Sequence, residues 1–130
     1  MRVFIVDDSA YVRQRLATVV SELSDAIELI GQAEDAPRAV EAIRRLKPDL
    51  VILDLQMPGG GGIRVLREIK QDTPAPIVLI LTNYPYPQYR TQCQKAGADF
   101  FFDKSMDFDR VPELLQQLHP VCRTNADNSG

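Results

Sequence analysis

Leu50-Val51-Ile52-Leu53-Asp54 is the stretch that most restricts how this chain can fold. Four consecutive apolar residues end abruptly in a carboxylate, and Met57-Pro58 and the glycines Gly59 to Gly62 follow at once. A run this short and this uniformly apolar suits a strand buried on both faces, as in a parallel sheet. A carboxylate at the end of such a strand lies on the sheet rim, where open α/β folds place their chemistry. Asp54 is therefore the candidate reactive residue.

The rest of the chain repeats the pattern. Residues 3–6 form an apolar run ending at Asp7-Asp8. Ser9 is placed to cap a helix, along which Val12, Leu16, Val19, Val20 and Leu23 recur at helical spacing. Residues 27–32 alternate and are the least uniformly apolar of the strand candidates, which suits a sheet edge. Asp35 with Pro37 opens a second helix through Ala39, Val40, Ile43 and Leu46, stopped at Lys47-Pro48. After the glycines, read as a flexible turn with Gly62 opening the next helix, Ile63, Leu66 and Ile69 mark a third helix. Residues 76–81 are a fourth buried run ending at Thr82. Pro87 starts a short helix carrying Tyr89, Cys93 and Ala96 and closed by Gly97. Residues 99–102 are a fifth strand, followed by Asp103-Lys104. Phe108, Val111, Leu114, Leu115 and Leu118 define a last helix, with Asp107 as its candidate start. From about Pro120 the chain is polar and reads as a frayed tail. Five strand–helix repeats predict one domain over residues 1–119, with residues 120–130 as the tail. The fold class is α/β, a doubly wound five-stranded parallel sheet with helices on both faces.

A chain of 130 residues buries a core without metal or disulfide staples. Cys93 and Cys122 lie in unrelated contexts with no C-x-x-C or Cys/His cluster, so no disulfide framework or zinc site is expected. The formal charge is −3 without a long basic run, which argues against direct nucleic-acid binding. Charge arrives too early after Met1 for a signal peptide, and no apolar stretch approaches the roughly 20 residues of a membrane span. A cytoplasmic protein with no membrane contact is expected. The four glycines match neither G-x-x-x-x-G-K nor G-x-G-x-x-G. His119, the one histidine, falls beyond the predicted last helix and is a poor phosphate relay.

In a parallel sheet all strands end at one edge. Asp7, Asp8, Asp54, Thr82 and Lys104 should therefore converge there. Taken singly, each has a plain reading: a cap for Asp7 or Asp8, a loop carboxylate for Asp54, a structural hydroxyl for Thr82, a surface ammonium for Lys104. Together they are electrostatically demanding, since two carboxylates ~4 Å apart repel by about 4 kcal/mol at an effective dielectric near 20. Lys104 supplies part of the compensating charge, and Mg2+ suits the oxygen-only ligands. An aspartate so placed is set up to attack a phosphoryl group.

Asp7-Asp8, Asp54-Leu55-Gln56-Met57-Pro58 with Gly62, Thr82, Gly97-Ala98-Asp99 and Lys104 resemble the receiver domain of two-component response regulators, over about residues 1 to 118. The resemblance implies the flavodoxin-like strand order 2-1-3-4-5. It makes Asp54 the phosphoacceptor for a sensor histidine kinase or phosphotransfer protein. Mg2+ would be held by Asp8, Asp54 and the main-chain carbonyl of Gln56, with Asp7 acting mainly through bound water. Thr82 and Lys104 would contact the phosphoryl group. Phe101 matches an aromatic switch position, and would turn inward as Thr82 moves toward the phosphoryl group. The helix four–strand five–helix five face would then bind a downstream protein or a second copy. Self-catalysed phosphorylation and dephosphorylation is the only chemistry implied, so the chain reads as a signalling module rather than an enzyme.

Two departures stand out. Lys104 is followed by Ser105 where the family has a cis proline, so a trans peptide is expected here. Asn83 replaces a small residue and is expected to narrow access to Asp54, while Gln56 and Tyr84 fall at positions that tune phosphate lifetime. The short tail and the start at Met1 favour a stand-alone, chemotaxis-regulator-like receiver over the receiver part of a longer DNA-binding regulator. A haloacid-dehalogenase-type phosphatase fits less well, because Asp54-Leu55-Gln56 lacks the second Asp of a D-x-D pair. A flavin binder would want a Ser/Thr/Gly-rich phosphate loop where Asp7-Asp8 stand.

Overall fold

The computed structural model describes residues 1–57 and 61–129, so Pro58, Gly59 and Gly60 of the glycine loop, and Gly130, lie outside the described residues. Five β/α units follow one another: β1 (Arg2–Val6), α1 (Ala10–Ser21), β2 (Glu28–Ala33), α2 (Ala36–Leu46), β3 (Leu50–Leu53), α3 (Gly61–Ile69), β4 (Ile77–Thr82), α4 (Pro87–Lys95), β5 (Phe100–Asp103) and α5 (Arg110–Ser129). The strands form one parallel sheet in the order β2-β1-β3-β4-β5. The expected strand order is thus observed, with the mixed-polarity β2 on an edge and β3 in the centre.

Strand alternation divides the core in two. Phe4, Val6, Val51, Leu53, Val78 and Ile80 face one layer, where Ala39 and Ile43 of α2, Val65, Leu66 and Ile69 of α3, and Cys93 of α4 pack on them. Val3, Ile5, Leu50, Ile52, Leu79 and Leu81 face the other, against Leu16 and Val20 of α1 and Val111, Leu114 and Leu115 of α5. A strand buried on both faces has no position for a polar side chain until it ends, which is why the charged residues are expelled to the rim. Each large side chain buried in these layers contributes roughly 1.5–3 kcal/mol of transfer free energy.

The helix signals operate locally as the residues dictate. The Ser9 hydroxyl accepts from Val12 N–H (3.3 Å) at the start of α1, and Asp35 Oδ1 accepts from Arg38 N–H (2.9 Å) at the start of α2. Lys47, at φ 51°, ends α2 in the left-handed region, and Gly97, at φ 102°, follows α4. No helix among the described residues is long and apolar enough to cross a membrane.

Three expectations require correction. Asp107 does not cap α5, which starts at Arg110; its carboxylate turns back to β5 instead. Residues 120–129, read as a frayed tail, continue α5, so His119 lies inside that helix. A proline within a helix removes one hydrogen bond and bends the axis, but its own φ is helical, so Pro120 does not oblige the chain to leave. Gly61, read as part of a flexible turn, already belongs to α3, which opens one residue before the expected Gly62; Gly62 itself is tightly packed.

Candidate functional site

The parallel ladders extend one residue past the strands on the rim. Asp7 N–H donates to Ala33 O (3.1 Å) and Asp54 N–H donates to Val6 O (2.9 Å). Asp7 and Asp54 therefore sit as the first polar residues of adjacent strands β1 and β3, held by main-chain bonds. Both are buried, at 2% and 5% exposure, whereas Asp8 is exposed. Asp7, Asp8 and Asp54 each offer a carboxylate oxygen within 4.8 Å of the others. Lys104, carried past the end of β5, reaches into the same pocket. Its Nζ lies 2.7 Å from Asp7 Oδ2 and 3.5 Å from Asp54 Oδ2.

Burial is the main reason the Asp54 carboxyl is pushed up to about 6. Lys104 opposes that shift, Asp7 adds to it, the Gln56 amide opposes it, and Asp8 adds to it. One ammonium among three carboxylates leaves the pocket with surplus negative charge and exclusively oxygen donors. That donor set fits a hard divalent cation, and exposed Asp8 gives an approach from solvent.

The remaining expected residues are placed differently. Thr82 is fully buried; its hydroxyl oxygen accepts from Tyr84 N–H (3.0 Å) and its carbonyl accepts from Lys104 N–H (2.8 Å). Thr82 and Lys104 are thus joined through the backbone across β4 and β5. At Gln56 the main-chain N–H contacts Asp54, donating to Oδ1 at 3.4 Å. Phe101, expected to turn inward on activation, is already buried at 9% exposure, with the Arg90 guanidinium 4.6 Å above its ring. Asn83 is exposed beside Thr82. The Lys104–Ser105 peptide is trans; among the described residues the cis bond is Thr73–Pro74.

Several positioning contacts escaped the sequence reading. Ser9 N–H donates to Asp7 Oδ1 (2.8 Å) and Arg13 Nη1 donates to Asp7 O (2.7 Å), fixing the Asp7 side chain and backbone from the first turns of α1. Gly62 N–H donates to Leu55 O (2.7 Å), and a methyl group on Gly62 would fall on the main-chain oxygen of Asp54. Asp99 Oδ2 accepts from Val78 N–H (2.8 Å) and from Lys70 Nζ (2.7 Å), tying the approach to β5 to β4 and α3. The only signal for these in the sequence is spacing to a strand end.

The model of the response regulator receiver domain family matches residues 3–116, nearly the whole length of the fold just described. The chain belongs to this family. As a receiver domain it is a signalling module of two-component systems. Curated relatives include an uncharacterized response regulatory protein of Vibrio cholerae, 35% identical over 114 residues and covering 88% of this chain and 46% of the relative. A protein-glutamate methylesterase/protein-glutamine glutaminase of Alkalilimnicola ehrlichii is 33% identical over 123 residues, covering 90% of this chain and 31% of that one. The receiver thus spans less than half the length of these relatives. Among solved structures, the response regulator domain of Thermotoga maritima CheB superposes with a TM-score of 0.80 at 29% identity, covering 92% of this chain and 93% of that one. A CheX–CheY–BeF3–Mg2+ complex from Borrelia burgdorferi gives 0.78 at 28% identity, over 93% and 88%.

Proposed function

We propose that this receiver is switched by phosphorylation of Asp54, with Mg2+ as cofactor and a sensor histidine kinase or phosphotransfer protein as donor. The observation that carries the reading is the convergence of three carboxylates from two strand ends, two of them buried, around the Lys104 ammonium. A bound Mg2+ supplies positive charge that offsets the phosphoryl oxygens and the clustered carboxylates. Asp8, Asp54 and the main-chain carbonyl of Gln56 would hold it, with Asp7 acting through water. The similar chain crystallised with beryllofluoride and Mg2+ supports that choice of ion.

In this reading the Asp54 carboxylate oxygen attacks phosphorus and the donor's leaving group departs. Asp54 is nucleophilic when ionised, and with its carboxyl titrating near 6 the ionised form dominates at neutral pH. Lys104 turns from Asp7 toward the new phosphoryl oxygens, and the Thr82 hydroxyl donates to them. Thr82 then gives up the Tyr84 N–H contact it makes in the unmodified protein, altering the β4–α4 connection. Phe101, buried beneath Arg90 before any modification, would respond to the movement of Thr82. The phosphoryl group selects one of two arrangements of the face formed by α4, β5 and α5. That face, flanked by the Tyr84, Tyr86 and Tyr89 rings, would take a downstream protein or a second copy of the chain.

Incubation with Mg2+ and acetyl phosphate, followed by mapping of the base- and hydroxylamine-labile acyl phosphate, tests the assignment. Modification is expected on Asp54 and lost in Asp54→Asn. Equal labelling of that variant, or modification elsewhere, would sink it.

A further inference from the structure

We propose that Asp107 is a positioning residue for Lys104, locking the β5–α5 connection that carries the ammonium into the acidic pocket. The inference rests on the reading that Lys104 meets the phosphoryl group. Because Ser105 follows Lys104 through a trans peptide, no proline ring fixes the connection. Side-chain hydrogen bonds do so instead. Asp107 Oδ2 accepts from Asp103 N–H (2.9 Å), and Asp107 N–H donates to Asp103 O (2.7 Å). Asp103 Oδ1 in turn accepts from Ser105 N–H (2.9 Å) and from the Ser105 hydroxyl (2.8 Å). Asp103 and Asp107 therefore bracket Lys104 in a closed turn.

The backbone geometry explains why the carboxylate matters. β5 is an edge strand, so successive N–H groups face alternately toward β4 and away from it. Lys104 N–H faces inward and donates to Thr82 O (2.8 Å). Asp103 N–H faces the side with no neighbouring strand, and Asp107 Oδ2 takes the place of the missing strand's carbonyl. The Asp103 amide, aided by Arg110 and opposed by slight burial, holds the Asp107 carboxyl below the usual carboxylate range. The acceptor is thus ionised at neutral pH and its hydrogen bond is charge-assisted. Arg110 Nη1, 3.2 Å from Asp107 Oδ1, orients the carboxylate from the first residue of α5. The backbone from which the Lys104 stem projects is consequently held on both sides, and its Nζ reaches Asp7 at 2.7 Å.

The test compares wild type, Asp107→Ala, Asp107→Asn, Lys104→Ala and Asp107→Ala/Lys104→Ala in Mg2+ with phosphoramidate. Asp107→Ala is expected to slow Asp54 phosphorylation about tenfold, and Asp107→Asn, which keeps an acceptor oxygen, to stay within about twofold of wild type. In the Lys104→Ala background Asp107→Ala should cost nothing further, because the residue it positions is gone. A rate for Asp107→Ala equal to wild type, an Asn variant as slow as the Ala variant, or an undiminished loss in the double variant overturns the proposal. Amide hydrogen exchange, which needs neither donor nor metal, supplies the second readout. Exchange at Lys104 N–H should rise at least about tenfold in Asp107→Ala and stay unchanged in Asp107→Asn; unchanged exchange in both refutes the positioning role. If wild type is not labelled on Asp54, the phosphoacceptor reading fails while the exchange result still decides whether Asp107 holds Lys104.

Discussion

Lys104 Nζ stands 2.7 Å from Asp7 Oδ2, so in the unmodified protein the ammonium is engaged with the carboxylate of β1. The second carboxylate, Asp54, is farther from it at 3.5 Å. Both partners of the short pair are largely buried, at 10% and 3% side-chain exposure. Removing one partner of such a pair leaves an uncompensated charge, at a cost of about 3–5 kcal/mol in a fully buried setting.

Lys104→Met is therefore expected to lower stability in EDTA by roughly 2–4 kcal/mol, the lower end reflecting water near exposed Asp8. It should also enlarge the stabilisation given by millimolar Mg2+, because the carboxylates lose their competing cation. Thermal melts of both proteins with and without Mg2+ measure the two increments. An unchanged Mg2+ increment would show that the ammonium and the cation do not share a field.

Asp54 is stabilising when neutral and destabilising when charged. Its folded value of about 6 lies above the ordinary 3.8, so the native state binds the extra proton between those values. Stability linked to Asp54 is then fully present below about pH 3.8 and is lost as pH rises through 6. At about 1.4 kcal/mol per unit, and allowing for solvent screening, the loss is about 1–3 kcal/mol at pH 7.5. Asp54→Asn should exceed wild type in urea stability by that amount at pH 7.5, with the gap closing near pH 4. A gap independent of pH would contradict the burial of a charge at this position.

The parts of this molecule that were legible in the sequence are those fixed by burial along one strand. Leu50 to Leu53 announced a central strand because no polar side chain interrupts it, and β2 announced an edge because Glu28 and Gln32 do. Strand direction alone then brought Asp7, Asp8, Asp54 and Lys104 to one rim, since a parallel sheet leaves them nowhere else to go. What stayed hidden depends on close approach between segments remote in sequence or on which way a side chain turns. Asp107 looked like a cap for the following helix, yet the unpaired Asp103 N–H on the sheet edge claims its carboxylate. The Arg13 guanidinium reaches the Asp7 carbonyl, a contact that no spacing along the chain announces. The extent of α5 was missed because polar composition after Pro120 reads as tail whether or not the backbone stays helical.

Gly62 carries its own consequence. A methyl group added there would overlap the main-chain oxygen of Asp54 and crowd the Leu55 backbone, neither of which is a flexible side-chain end. Gly62→Ala must push α3 away from the rim, and overpacking of this kind costs about 1–3 kcal/mol. The crowded atoms belong to Asp54 itself and to Leu55, directly before the Gln56 main-chain N–H that contacts Asp54, so Asp54 labelling by acetyl phosphate should slow as well. Urea denaturation together with labelling rate checks both. Full stability with an unchanged rate would mean that α3 does not seat the Asp54 loop.

Arg90 lies over Phe101 at 4.6 Å and holds a ring that is already buried. A guanidinium stacked at an exposed position is worth about 0.5–1 kcal/mol. If the buried arrangement of Phe101 is the one a phosphoryl group selects, Arg90 contributes that amount to it before any modification occurs. Arg90→Ala then weakens beryllofluoride binding by roughly two- to fivefold, the same free energy expressed as an affinity ratio. Arg90→Lys, which keeps the charge but not the planar stack, should fall between the two. Tighter binding in Arg90→Ala would reverse the assignment, making the ring's outward arrangement the one that the phosphoryl group favours. Fluorine NMR of bound beryllofluoride in the presence of Mg2+ reads the affinity directly, without a kinase.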